Sequence, residues 1–102
     1  MEFVIDMDLI NQINKKYNFK IKKVRDDLIM ISTNTFDSWI IELSSYADGK
    51  NIVLKHKNNG KNKDKWHTQR RFYDYTWAFG HMAYHTKKYL CDTEQNTLGD
   101  RQ

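Results

Sequence analysis

An α+β fold is what this sequence predicts: a short N-terminal helix, an antiparallel sheet of four or five strands, and a long C-terminal helix packed on one face. Three observations predict it. Apolar residues recur at helical spacing near the two ends of the chain, at Leu9, Ile10, Ile13 and Tyr17 and again from Phe72 to Leu90. Between them lie short apolar or alternating runs, each bounded by polar turn residues. Polar breaks such as Asp48-Gly49 are short enough to join antiparallel neighbours.

Taken in order, Asp6 or Asp8 can cap the first helix. Phe19 to Val24 alternates with lysines and reads as a half-buried strand. Arg25-Asp26-Asp27 makes a polar turn into Leu28-Ile29-Met30-Ile31, an apolar run of central-strand length. Trp39 to Leu43 alternates again and stops at Ser44-Ser45. Asp48-Gly49 then turns the chain, because glycine accepts the positive φ of a tight hairpin. Ile52 to Lys57 is the next strand, and Lys65 to Arg71 returns antiparallel to it. The connection, 58–64, holds no apolar side chain and must be solvated. From Tyr73 or Asp74 to about Leu90 the period is helical, with Phe72, Tyr75, Phe79, Met82, Ala83, Thr86, Tyr89 and Leu90 on one broad face despite Gly80. Ile31, Leu43, Leu54, Phe79 and Met82 are the expected core.

The length of 102 residues supports one domain, expected over 1–91, followed by a polar tail over 92–102. An apolar fraction of 39% is too high for a disordered chain, and no apolar run approaches the roughly 20 residues of a membrane-spanning helix. Cys91 is the single cysteine, so no internal disulfide forms, and the acidic start lacks the basic region of a secretory signal. These features fit a soluble protein of the cytoplasm. The preference for Lys, Asn, Ile, Tyr and Asp, with no Pro, is in the style of an AT-rich genome, such as that of a low-GC bacterium, its phages or its mobile elements.

Charge points to a partner. The net charge is +4, yet residues 55–71 alone carry Lys55, Lys57, Lys61, Lys63, Lys65, Arg70 and Arg71 against Asp64. The segments on either side each hold a slight excess of acid. So local an excess reads as a contact surface for a polyanion. Alternation that buries Ile52, Leu54 and Trp66 sends Lys55, Lys57, His67, Gln69 and Arg71 to one outer face, extended by Lys61 and Lys63. Such a two-stranded ribbon fits a groove or tracks a phosphate backbone, with His67 and Gln69 at hand for bases or sugars. With Trp66 turned outward, its ring becomes a stacking platform for an unpaired base. The plainer reading is that these lysines keep an edge strand solvated.

On the last helix Trp77, His81, Tyr84 and Lys88 fall on the flank and far side from the core face, where large aromatics anchor a protein contact, either a homodimer or a separate target. His81 and His85 stand at i, i+4, a spacing suited to a shared metal ion, but two ligands are not a site and no metal is assigned. Catalytic signatures are lacking: there is no glycine-rich phosphate loop and no nucleophile elbow. Asp37 followed by Asp48-Gly49-Lys50 has the acid, acid-x-Lys order of a metal-dependent nuclease, but Asp48-Gly49 is accounted for as a turn. The sequence therefore predicts a small non-enzymatic nucleic-acid-binding protein, without cofactor, that uses the basic hairpin 55–71. The alternative is a phage-encoded inhibitor that blocks a host nucleic-acid-handling protein, either in its groove or through an acidic face. No membrane partner is expected.

Overall fold

The computed structural model describes residues 3–60 and 65–98, with side chains described as far as Thr86. In chain order the elements are α1 (Met7–Tyr17), β1 (Lys20–Arg25), β2 (Leu28–Ser32), β3 (Asp37–Leu43), β4 (Ile52–Asn58), β5 (His67–Phe72) and α2 (Tyr75–Leu98). The strands form one antiparallel meander in the order β1-β2-β3-β4-β5, so consecutive strands are always neighbours. This is the expected α+β architecture, with five strands. The C-terminal helix is expected to be long; the part of α2 with described side chains is twelve residues, 75–86, and so is not long. The domain boundary expected at 92 lies outside the described side chains. No described helix is long and apolar enough to cross a membrane.

Local chemistry sets the element ends. The Asp6 carboxylate accepts the Leu9 N–H at 3.1 Å and caps α1. Asn18 stops that helix in the left-handed region at φ 60°, while the Asn14 side-chain amide both donates to and accepts from the Phe19 backbone. At the β3–β4 connection Gly49 takes φ +82°, a value that strains any residue with a Cβ. Asp74 accepts the Trp77 N–H at 3.0 Å and opens α2.

Both helices lie on one side of the sheet. Ile29, Ile31, Trp39, Ile41, Ile52, Leu54 and Phe72 point to that side and pack with Ile5 and Ile10 before and within α1, and with Ala78, Phe79 and Met82 of α2. Of the five core residues expected, four are buried and Leu43 is only half-buried at the rim. Tyr17, Phe19 and Phe79 stack at one end of this layer, with centroids 5.4 to 6.1 Å apart. At the other end the layer turns polar.

Candidate functional site

Two surfaces concentrate chemistry, and the sheet separates them. The first is the open face. Register aligns its side chains in rows across the strands: Lys20, Ser32, Ser38 and Lys57; then Lys22, Met30, Ile40, Lys55 and Thr68; then Arg25, Leu28, Glu42, Val53 and Arg71. An apolar strip of Leu28, Met30, Ile40 and Val53 therefore lies between bases contributed by β1, β4 and β5. Glu42 is the single acid of the three rows, held between Arg25 Nη2 at 3.0 Å and Lys55 Nζ at 3.1 Å. Lys57 sits over the Trp66 ring at 5.1 Å, which places that indole on the open side too. Arg71 donates to Asp48 at 2.9 Å and to the Lys50 carbonyl at 3.2 Å, and stacks on Tyr46. Its guanidinium lowers the Asp48 carboxyl below the usual range, chiefly through that hydrogen bond.

The basic strip expected from alternation is thus split. Lys55, Lys57 and Arg71 share the open face, but His67 and Gln69 turn to the helix side. The cause is a bulge: Leu54 pairs with Arg70 and Lys55 with Thr68, so Gln69 is an extra residue in β5 that reverses the pleat before it. Trp66, expected inside, consequently faces out. Arg70, expected as a nucleic-acid contact, stands opposite Leu54 on the helix side and lies over the Phe72 ring at 5.8 Å, lining the cleft between β5 and α2 with Tyr73, Trp77 and Tyr84. Lys65 is exposed, and Lys61 and Lys63 lie outside the described residues.

The second surface is the polar end of the covered face, where all four histidines of the chain gather. Asp37 opens β3 and is only 1% exposed; Asn34 fixes its entry, its side-chain oxygen accepting the Phe36 and Asp37 N–H groups. His56 of β4, 4% exposed, donates from Nε2 to Asp37 Oδ1 at 2.7 Å. From α2, His85 brings its own Nε2 to 3.5 Å from the same oxygen. The Trp39 indole, tied through Nε1 to Thr33 Oγ1 at 3.0 Å, lies against His56 at 4.3 Å and meets His85 edge-on at 5.2 Å. His67 packs against His56 at 5.1 Å and donates to Gln69 Oε1, while Gln69 Nε2 donates to His81. Burial lowers the His56 pKa despite the opposing pull of Asp37. Burial, then the charge of Arg70, lowers that of His81.

His81 and His85, one turn apart, therefore take different partners and not a shared one. His81 packs against Trp39 and Phe72 on its inner side and still lines the cleft beside β5 with Trp77 and Tyr84. Trp77 and Tyr84 remain on the outside at 69% and 67% exposure, and the Lys88 side chain lies outside the described residues. Sequence reasoning misses Asp37 and His56 as site residues, because hydrogen-bonded partners 19 positions apart are joined only by strand register. Comparison with protein-family models, with curated proteins and with solved structures finds no match to this chain.

Proposed function

We propose that this protein is a non-enzymatic nucleic-acid-binding module that lays the phosphate backbone across its open sheet face and the hairpin 55–71. The observation that carries the reading is the set of aligned rows: six bases, Lys20, Lys22, Arg25, Lys55, Lys57 and Arg71, flank an apolar strip that holds one acid, Glu42. Asp27 and Asp48 at the edge pair with Arg25 and Arg71 and leave the four lysines to supply most of the field. Lysine stems cover the apolar strip while their ammonium groups stay in water, ready for phosphate oxygens. Trp66, beside Lys57 at the hairpin base, offers a ring on which an unpaired base stacks.

Titration of the purified chain into labelled single-stranded and duplex DNA and RNA, at increasing salt, tests this. Neutralising about four phosphates gives a slope of roughly −3.6 in log affinity against log salt, a loss of about 150-fold between roughly 50 and 200 mM. Replacing Lys20, Lys22, Lys55 and Lys57 together by Ala abolishes most binding and leaves the melting temperature nearly unchanged. The same change at Lys15 and Lys16 of α1 does little. Salt-insensitive binding, or full affinity in the fourfold variant, overturns the reading.

A second reading rests on the rings that α2 leaves in water. Trp77, Tyr84 and nearby Tyr73, each about two-thirds exposed, are of the kind that anchors protein contacts. In this reading the chain binds a nucleic-acid-handling protein and inhibits it. The bare protein then leaves nucleic acid unretarded, and Trp77→Ala weakens the protein contact by about 2 kcal/mol.

A further inference from the structure

We infer that Asp37, His56 and His85 form a binding site for a divalent transition metal ion of the zinc class. The site lies on the opposite side of the sheet from the basic rows, so it stands or falls independently of nucleic-acid binding. Three donor atoms from three separate elements converge here. Asp37 Oδ1 is 2.7 Å from His56 Nε2 and 3.5 Å from His85 Nε2, and the three lie within 4.8 Å of one another. Zinc bonds of about 2.0–2.2 Å put tetrahedral donors roughly 3.3–3.5 Å apart, so small movements of the side chains admit an ion between them.

A buried Asp–His hydrogen bond accounts for His56 alone. It does not account for His85, which directs a second imidazole nitrogen at the same carboxylate oxygen. Both rings are held by Trp39, and that indole is itself fixed by Thr33, so the donors are set by packing and not by chance rotamers. A dication also offsets the cost of a carboxylate with 2% of its side chain exposed. Two imidazoles and one carboxylate suit Zn²⁺, Fe²⁺ or Co²⁺ and not Ca²⁺ or Mg²⁺, which take oxygen ligands. The His85 side chain is 36% exposed, which opens the site to an entering ion and to water.

The experiment uses the full chain without a purification tag, stripped with chelator and titrated with Co²⁺ as an optical probe. One Co²⁺ per chain is expected, with intensified visible d–d bands, displaced by one equivalent of Zn²⁺, and Zn²⁺ raises the melting temperature. His85→Ala keeps the Asp37–His56 pair and lowers Co²⁺ affinity at least tenfold; Asp37→Asn does the same. His67→Ala, on the exposed rim, leaves affinity within about threefold. An unchanged aqueous Co²⁺ spectrum with the wild-type chain overturns the proposal. So does wild-type affinity in His85→Ala, or loss of binding in His67→Ala, either of which assigns the ion to other surface histidines. Should Asp37→Asn fail to fold, the wild-type spectrum and His85→Ala decide.

Discussion

The two faces of this sheet are built from the same strands and use polar residues in opposite ways. On the open face, charges stand in rows at the ends of long side chains, each within reach of water, and their positions follow from the pleat and from the irregularities in β1 and β5. Under the helices, polar groups occupy the core layer itself. Asp37 and His56 are buried and must satisfy one another, and Trp39 joins them to His85 and His81. A lysine on the open face contributes to a field; a histidine under the helix contributes to a geometry. The first tolerates exchange of one base for another, because charge acts at a distance. The second does not, because a buried donor without its acceptor is costly.

Neighbouring residues of β3 give the largest test of that contrast. Trp39 faces the helices with no exposed surface, and Ile40 faces the open side half-buried. Trp39→Ala should cost about 3–5 kcal/mol, enough to lower the melting temperature by 15 °C or more in a domain of this size. Ile40→Ala should cost about 1 kcal/mol. Thermal unfolding by circular dichroism compares them directly. Equal losses would mean that the open face is covered in solution, by a second copy or a folded-over segment, and the contrast would fail.

Within the polar layer, Asp37→Ala removes the acceptor of a buried N–H and should cost about 1–3 kcal/mol in chelator-treated protein. Asp37→Asn retains an oxygen at that position and should cost less. Urea midpoints measured for the two variants check the order. An alanine variant as stable as the parent would show that His56 finds another acceptor.

Acidification probes the same layer through His81, whose folded pKa is lowered by burial and by Arg70. In the unfolded chain this imidazole titrates near 6.5. As pH falls through that value, the unfolded state takes up a proton that the folded state resists, so stability declines on the acid side. The urea midpoint should therefore fall between pH 7.5 and 5.5, and fall less in His81→Gln. An identical decline in both proteins would place the sensitive group elsewhere.

Much of the fold was legible because its signals are periodic. Leu28 to Ile31, Trp39 to Leu43 and Ile52 to Lys57 declare strands, and the spacing of Tyr75, Phe79 and Met82 declares the helix face. The β5 pleat was misread because one extra residue at Gln69 inverts it, and nothing in 65–71 marks a bulge. The Asp37–His56–His85 cluster escaped for a different reason. Its members are single residues in three elements; Asp37 and His85 were each noted beside other partners, Asp48 and His81, and only the β3–β4 register with the rotation of α2 brings them together with His56. The basic hairpin was visible as composition, whereas Lys20, Lys22 and Arg25 joined it only when β1 proved to lie in the same sheet.

The smallest expected effect is also the most discriminating for the open face. Glu42 is one-quarter exposed and is held by Arg25 and Lys55, yet exposed ion pairs of this kind contribute about 0–1 kcal/mol. Glu42→Gln preserves the side-chain shape, keeps a hydrogen-bond acceptor and removes the negative charge from the rows. Stability should change by no more than about 0.5 kcal/mol. Nucleic-acid affinity should rise about two- to fivefold at low salt, corresponding to roughly 0.4–1 kcal/mol, and the gain should shrink as salt screens it. A loss of stability of several kcal/mol would make Glu42 a structural keystone and the face an internally neutralised surface. Unchanged affinity, in a protein whose binding still responds to salt, would move the contact off the sheet and onto the hairpin tip.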